Sequence, residues 1–206
     1  MTAFNAAALL TVASAIFVAE LTDKDAFLLL TLATRRKALF VFAAGSAAFT
    51  LTTAIITTSG YFLIRIVPVF WIKIAGGIVM ISYGLWQSHK TGEEEQRELK
   101  GTESRLLSGS ARKGMWPAFL TTVSMLALLD LAGDATEVLT IVFVAHFQDI
   151  LLVFAGALGA LIAATAIETL LGSQLQKILS PNMLRLLSVA VFLTIGTAIL
   201  ITTILY

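Results

Sequence analysis

Glu20-Leu21-Thr22-Asp23-Lys24-Asp25 sets four ionisable side chains within six residues of an apolar run otherwise fit for lipid. Each charge at the centre of a bilayer costs an isolated helix roughly 2.5 to 3.5 kcal/mol on insertion scales, so an intramembrane cluster is read as functional by default. A second cluster, Asp130-Leu131-Ala132-Gly133-Asp134-Ala135-Thr136-Glu137, follows about 111 residues later in an equally apolar setting. The rest of the chain reads as scaffolding that brings the two together.

That the surroundings are lipid follows from composition. Of 206 residues 58% are hydrophobic and 13% charged, and the mean hydropathy is +0.91. A soluble domain of this size approaches a quarter charged residues, so this is an integral membrane protein. The absence of cysteine excludes disulfides, thiolate metal sites and iron-sulfur clusters. Basic residues flank apolar runs and are not interleaved with exposed aromatics, so no nucleic-acid partner is indicated. The N-terminus lacks the basic region of a signal peptide, and the first apolar run is expected to stay as a spanning helix.

About 20 apolar residues cross the hydrocarbon as a helix, and six stretches qualify once the acidic clusters are allowed inside. They cover about 4–33, 38–66, 69–87, 115–145, 150–171 and 183–206. The expected organisation is a first three-helix repeat at 1–88, a polar linker at 89–114 and a second three-helix repeat at 115–206. The first and fourth stretches, about 30 residues each, would be about 45 Å long as straight helices, more than the membrane is thick. Breaking both at their acidic clusters absorbs the excess and exposes backbone carbonyls to a bound ion.

The halves align. Asp23 falls on Asp134, and Val41-Phe42-Ala43-Ala44-Gly45 on Leu152-Val153-Phe154-Ala155-Gly156. After one slip Gly60, Arg65, Lys73 and Gly84 fall on Gly172, Lys177, Arg185 and Gly196. With three spans per half, the second half enters from the opposite side, which gives an all-α, six-span inverted 3+3 repeat with a site at the interface of the halves. Arg35, Arg36, Lys37, the linker's basic residues, Lys177 and Arg185 fall on one side, against Arg65 and Lys73 on the other. The positive-inside rule then puts the linker in the cytoplasm and both termini outside, in the plasma membrane of a prokaryote. Oligomeric state stays open, a homodimer included.

Helical spacing lets Glu20 and Asp23 share a face, and likewise Asp130, Asp134 and Glu137. Six carboxylates meeting in low dielectric cannot all ionise unless a cation joins them, and protons replace it when it leaves. The expected partners are therefore a divalent cation and protons, the cation being substrate and no cofactor being called for. Neither His89 nor His146 is near a cluster, and an all-oxygen site suits calcium, manganese or magnesium better than zinc or copper. The primary ligands are expected to be Glu20, Asp23, Asp130 and Asp134 with the hydroxyls of Thr22 and Thr136. Asp25, Glu137, Lys24 and Glu168 are expected to handle protons.

These residues resemble a known family. Glu20-Leu21-Thr22-Asp23-Lys24-Asp25 is similar to the E-x-G-D-[KR]-[TS] signature of the calcium/manganese cation/proton exchangers of the lysine-exporter superfamily, which include Golgi calcium/manganese transporters and bacterial Mne-type manganese exporters. The resemblance implies two such motifs, in the first and fourth of six core spans, a cytoplasmic linker, and export of Mn2+ or Ca2+ against protons. Glu20, Asp23 and Lys24 match the first motif, with Thr22 in place of glycine and Asp25 in place of the hydroxyl residue. In the second, Gly133, Asp134 and Thr136 match, while Leu131 stands at the glutamate and Ala135 at the basic position. Asp130 lies one place before the missing glutamate, and Glu137 stands where family members often have glutamine.

Plainer readings compete. The clusters could be a structural polar network, although one lysine cannot neutralise six carboxylates. Glu168 could be a proton relay or a side chain reaching water from the end of its span. Asp149 reads as a helix-start residue, and Gly45, Gly76, Gly77, Gly156 and Gly159 as close-packing surfaces. The threonines of the second span favour helix-to-helix hydrogen bonds over lining a path. Rival functions are an exporter of amino acids or other small solutes, an intramembrane aspartyl protease, for which Leu131-Ala132-Gly133-Asp134 lacks the first glycine of G-x-G-D, and a non-transporting scaffold.

Overall fold

The computed structural model describes residues 5–21, 24–89, 114–131, 135–178 and 181–205, together with 101, 102 and 104 of the linker; for 24, 25, 27, 135, 171–178, 181, 182 and 184 it describes the backbone alone. These residues form helices and no strand: α1 (Ala6–Leu21), α2 (Lys24–Arg35), α3 (Ala38–Ile66), α4 (Val69–His89), α5 (Met115–Asp130), α6 (Ala135–Phe147), α7 (Ile150–Ile178) and α8 (Pro181–Leu205). The two predicted 30-residue spans are thus each represented by two shorter helices. The first pair ends at Leu21 and resumes at Lys24, the second ends at Asp130 and resumes at Ala135.

Local chemistry sets several boundaries. The Asn5 Oδ1 accepts from the Ala8 N–H at 3.2 Å and the Asp149 Oδ1 from the Leu152 N–H at 3.1 Å, so both cap orphan donors of a first turn. Asp149 is the helix-start residue its position before an apolar run indicated. Between α6 and α7 the chain turns through Gln148 at φ 53°, whose N–H closes on the Val144 carbonyl at 2.9 Å. That is the left-handed stop glycine usually supplies. Helix α7 continues to Ile178, beyond the predicted end at 171, because hydropathy reports fitness for lipid while Gln174, Leu175, Gln176 and Lys177 remain good helix formers outside it.

Among the described residues four segments are long and apolar enough to cross a membrane: Ala38–Ile66, Val69–His89, Ile150–Leu170 and Arg185–Leu205. Three shorter apolar helices, Ala6–Leu21, Met115–Asp130 and Thr136–Phe147, accompany them. Large apolar side chains such as Leu10, Leu51, Phe62, Ile78, Leu120, Leu151 and Ile201 stand exposed. In water such a surface would be a liability; in a bilayer it is the solvated face.

Packing crosses between the halves. Helix α7 lies against α1 and α2, α3 lies against α5 and α6, and α3 and α7 pack on each other. Val12, Ile16, Leu29, Val41, Phe49, Leu139, Val144 and Val153 are buried between these helices. A second unit is the antiparallel pair α4 and α8, where Tyr83 meets Phe192 edge-on at 5.1 Å. A Cβ added to Gly77 would lie 2.7 Å from Leu200 and 3.1 Å from the Gly196 carbonyl oxygen, so the two backbones meet because neither residue carries a side chain. Gly159 departs from the expected packing role: it is exposed, and a Cβ there would meet nothing within 4 Å. It follows Gly156 by three residues, but the helix turns it away from the face on which Gly156 meets Val12.

The two ends of the bundle differ. Where α3 and α5 begin, Phe40 meets Phe119 edge-on at 5.9 Å, Trp116 stacks on Phe119, and the Arg36 guanidinium lies 5.7 Å from the Phe40 ring centre. At the other end Thr11 of α1, Lys73 of α4, His146 of α6 and Thr203 of α8 share one cavity. Helices α1 and α5 therefore start from opposite ends.

Gly77→Val should lower the melting temperature in detergent, since overpacking a close contact costs about 1–3 kcal/mol, whereas Gly159→Ala should leave it unchanged. Equal effects of the two would contradict the α4–α8 contact.

Candidate functional site

The acidic segments lie where the short helices meet. Glu20, next to the last residue of α1, is fully buried at 0% exposure. Asp130 ends α5 at 4%, and Thr136 and Thr140, one turn apart at the start of α6, are buried at 3% and 5%. Glu137 lies in the first turn of α6, where the helix dipole favours a negative charge. Lys24 and Asp25 open α2; their side chains, together with Thr22, Asp23 and Asp134, lie outside the described residues.

Asp130, Thr136, Glu137 and Thr140 share one small cavity with Thr52, Thr53 and Ile56 of α3 and Leu161 of α7. It has room for little more than a water-sized sphere. Asp130, Thr136 and Glu137 of the second acidic segment are thus brought against the middle of α3. Thr140 was not anticipated, although its place four residues after Thr136 puts it on the same helix face.

The threonines of α3 do not bond from helix to helix as expected. The Thr52 hydroxyl donates to the Ala48 carbonyl at 3.2 Å and the Thr57 hydroxyl to the Thr53 carbonyl at 2.7 Å, both within α3. A buried threonine reaches its own helix carbonyl without the entropy of aligning a second helix. The buried Thr53 hydroxyl has no hydrogen bond among the described residues and lines the cavity.

The other half repeats this arrangement. On α7 the Thr169 hydroxyl donates to the Thr165 carbonyl at 2.7 Å, the distance found for Thr57 and Thr53. The offset of 112 that equates Gly60 with Gly172 also carries Thr53 to Thr165 and Thr57 to Thr169. It carries Ile56, which lines the Asp130 cavity, to Glu168. Glu168 is 1% exposed, so the reading in which it reaches water from the end of its span is overturned. It lies on α7, the helix that packs against α1 and its buried Glu20, just as α3 packs against α5 and Asp130.

Among the described residues no group of three His, Cys, Asp or Glu side chains could hold a metal ion. Among the described residues that line the Asp130 cavity, the side-chain donors are all oxygen, carboxylates and hydroxyls. Such donors suit hard cations.

Thr53→Val should change the melting temperature of the metal-free protein little, by less than about 1 kcal/mol in stability, because the hydroxyl it removes makes no bond within the described fold. A large loss would show that Thr53 holds the helices together.

Comparison with known families finds a match to the model described as "Divalent cation/proton antiporter GDT1", over residues 8–95 and again over 118–205. No curated protein and no solved structure matched the chain.

Proposed function

Because the chain belongs to the divalent cation/proton antiporter family GDT1, we propose that it exports Mn2+, Ca2+ or both in exchange for protons, through one midplane site that its two acidic segments share. The transporter itself is a multi-pass membrane protein. The observation that carries the shared site is the cavity joining Asp130, Thr136 and Glu137 of one half to Thr52 and Thr53 of the other.

In this reading Glu20, Asp23, Asp130 and Asp134 bind the cation with Thr22 and Thr136. Asp25, Glu137, Lys24 and Glu168 exchange protons with them. Bringing carboxylates out of water is costly unless a cation or protons compensate them. The site therefore holds either a metal ion or protons, and a conformational change that carries it from one side to the other exchanges the two. The match to a divalent cation/proton antiporter family argues against the solute-exporter alternative.

An inverted 3+3 repeat, with halves at 1–88 and 115–206 around a linker at 89–114, gives that change its symmetry. Supporting it are the opposite starts of α1 and α5, the exchange by which α7 covers α1 and α2 while α3 covers α5 and α6, and the matched threonine bonds. The excess of Arg and Lys at the linker end supports a cytoplasmic linker with both termini outside, in a prokaryotic plasma membrane.

The mirror is imperfect where Ile56 faces one half-site and Glu168 replaces it in the other. Glu168 thereby gives the α1–α7 side a proton-carrying carboxylate at the position where α3 carries Ile56.

In proteoliposomes with an imposed pH gradient, Glu20→Gln and Asp134→Asn should each abolish Mn2+-driven proton flux; unchanged flux in both would remove the proposed site. Asp130→Asn should also remove the thermal stabilisation that Mn2+ confers, about 2.7 kcal/mol at a hundredfold excess over Kd. Glu168→Gln should still bind Mn2+ but release fewer protons on binding in weakly buffered solution. Wild-type proton release from that variant would exclude Glu168 from coupling.

A further inference from the structure

At the end of the bundle opposite the linker, a cavity of about 350 Å3 opens between α1, α4, α6 and α8, within the size range of small-ligand pockets. Lys73 stands at its mouth, with its Nζ 2.9 Å from the Nδ1 of His146. An ammonium group can only donate, so Nδ1 accepts and the ring carries its proton on Nε2. The remaining N–H groups of Lys73 and the Nε2–H of His146 make no hydrogen bond within the described fold. The four threonines of the lining, Thr11, Thr194, Thr202 and Thr203, spend their hydroxyl protons on carbonyls of their own helices. Among the described residues that line the cavity none is acidic. Its unspent donors therefore belong to one cation and the imidazole beside it.

Apart from Lys73, His146 and the four threonines the lining is apolar. From Thr203 to Ile195 it follows α8 for about 12 Å at 1.5 Å per residue, past Ile199 and Ala198, with Val142 and Phe143 of α6 opposite. Phe70 and Trp71, 48% and 61% exposed, lie one and two residues after the start of α4, in the turn that precedes Lys73. Exposed aromatics of this kind mark the membrane interface. A donor pair at the interface above an apolar trough matches an anionic head on a hydrocarbon chain.

We propose that this cavity is a phospholipid site, in which Lys73 and His146 hold the phosphodiester and one acyl chain lies between α6 and α8. Helix α8 packs mainly on α4 and touches α1 only slightly, so a lipid here joins the α4–α8 pair to α1 and α6. The lipid would thereby tune how freely that pair moves against the acidic helices. The proposal rests on the membrane location and not on the cation site, and its test uses no divalent ion.

The full-length protein in detergent is titrated with dioctanoyl phosphatidylglycerol by calorimetry, with dioctanoylglycerol and inorganic phosphate as separate probes. Phosphatidylglycerol should bind saturably and the other two at least tenfold more weakly. Lys73→Met should weaken binding about fivefold, the share of one basic residue near a lipid headgroup. Lys73→Arg should retain it, and Ile199→Trp, which fills the trough, should abolish it. Binding unaffected by both Lys73→Met and Ile199→Trp overturns the proposal. So does equal binding of dioctanoylglycerol, which leaves the phosphate no role, or of inorganic phosphate, which leaves the chain none.

Discussion

Burying a carboxylate is the cost around which this fold is arranged. Glu20, Asp130 and Glu168 are each at least nine-tenths buried in a molecule whose outer surface is hydrocarbon. In such a medium a carboxylate is tolerated only when it is protonated or lies beside hydrogen-bond donors or a countercharge. Elsewhere in the described core, polar side chains other than threonine are few; Gln87 and Ser188 are the buried ones. The bundle spends its polar capacity where the short helices meet.

Crossed packing makes that concentration possible. If each half folded on its own helices, the acidic segment of one would meet the apolar side of the same half. Instead α3 turns its threonine-bearing face to α5 and α6, and α7 packs on α1 and α2. The α4–α8 pair, closed by Gly77 and Gly196, sits outside this exchange and touches it mainly through α6, where Gly76 meets Val142. The fold therefore contains a polar interior and a separately packed flank in which Gln87 and Ser188 are the buried polar side chains, an arrangement that lets one part shift against the other.

Much of this was legible before any coordinates. The apolar run lengths located the helices at 38–66 and 69–89 to within about a turn, and Asp149 announced its cap. The acidic segments were readable because charge in a lipid-grade run has no structural explanation cheaper than function. What was not legible depended on the third dimension. The burial of Glu168 was hidden because it lies near the polar end of its run, where a side chain can equally reach water. Its offset partner Ile56 was the available clue, since a residue aligned with a cavity liner should itself face inward. The Lys73–His146 pair joins residues 73 apart that no spacing rule connects. Gly159 misled because a small residue three places from Gly156 looks like the same face, and only the packing of α7 shows that it points outward.

The hydroxyl bonds of the Asp130 cavity have a further result. Thr52 gives its proton to Ala48, and Thr140 gives its own to Thr136, in each case to the helix that carries it. Each oxygen therefore turns lone pairs, not hydrogen, toward the space it lines. Two groups that could have been either donor or acceptor are fixed as acceptors, and the wall is negative in potential even where no carboxylate is present. An anion or a neutral hydrogen-bond acceptor entering there would find these two oxygens opposing it, while the Thr53 hydroxyl keeps its proton to offer.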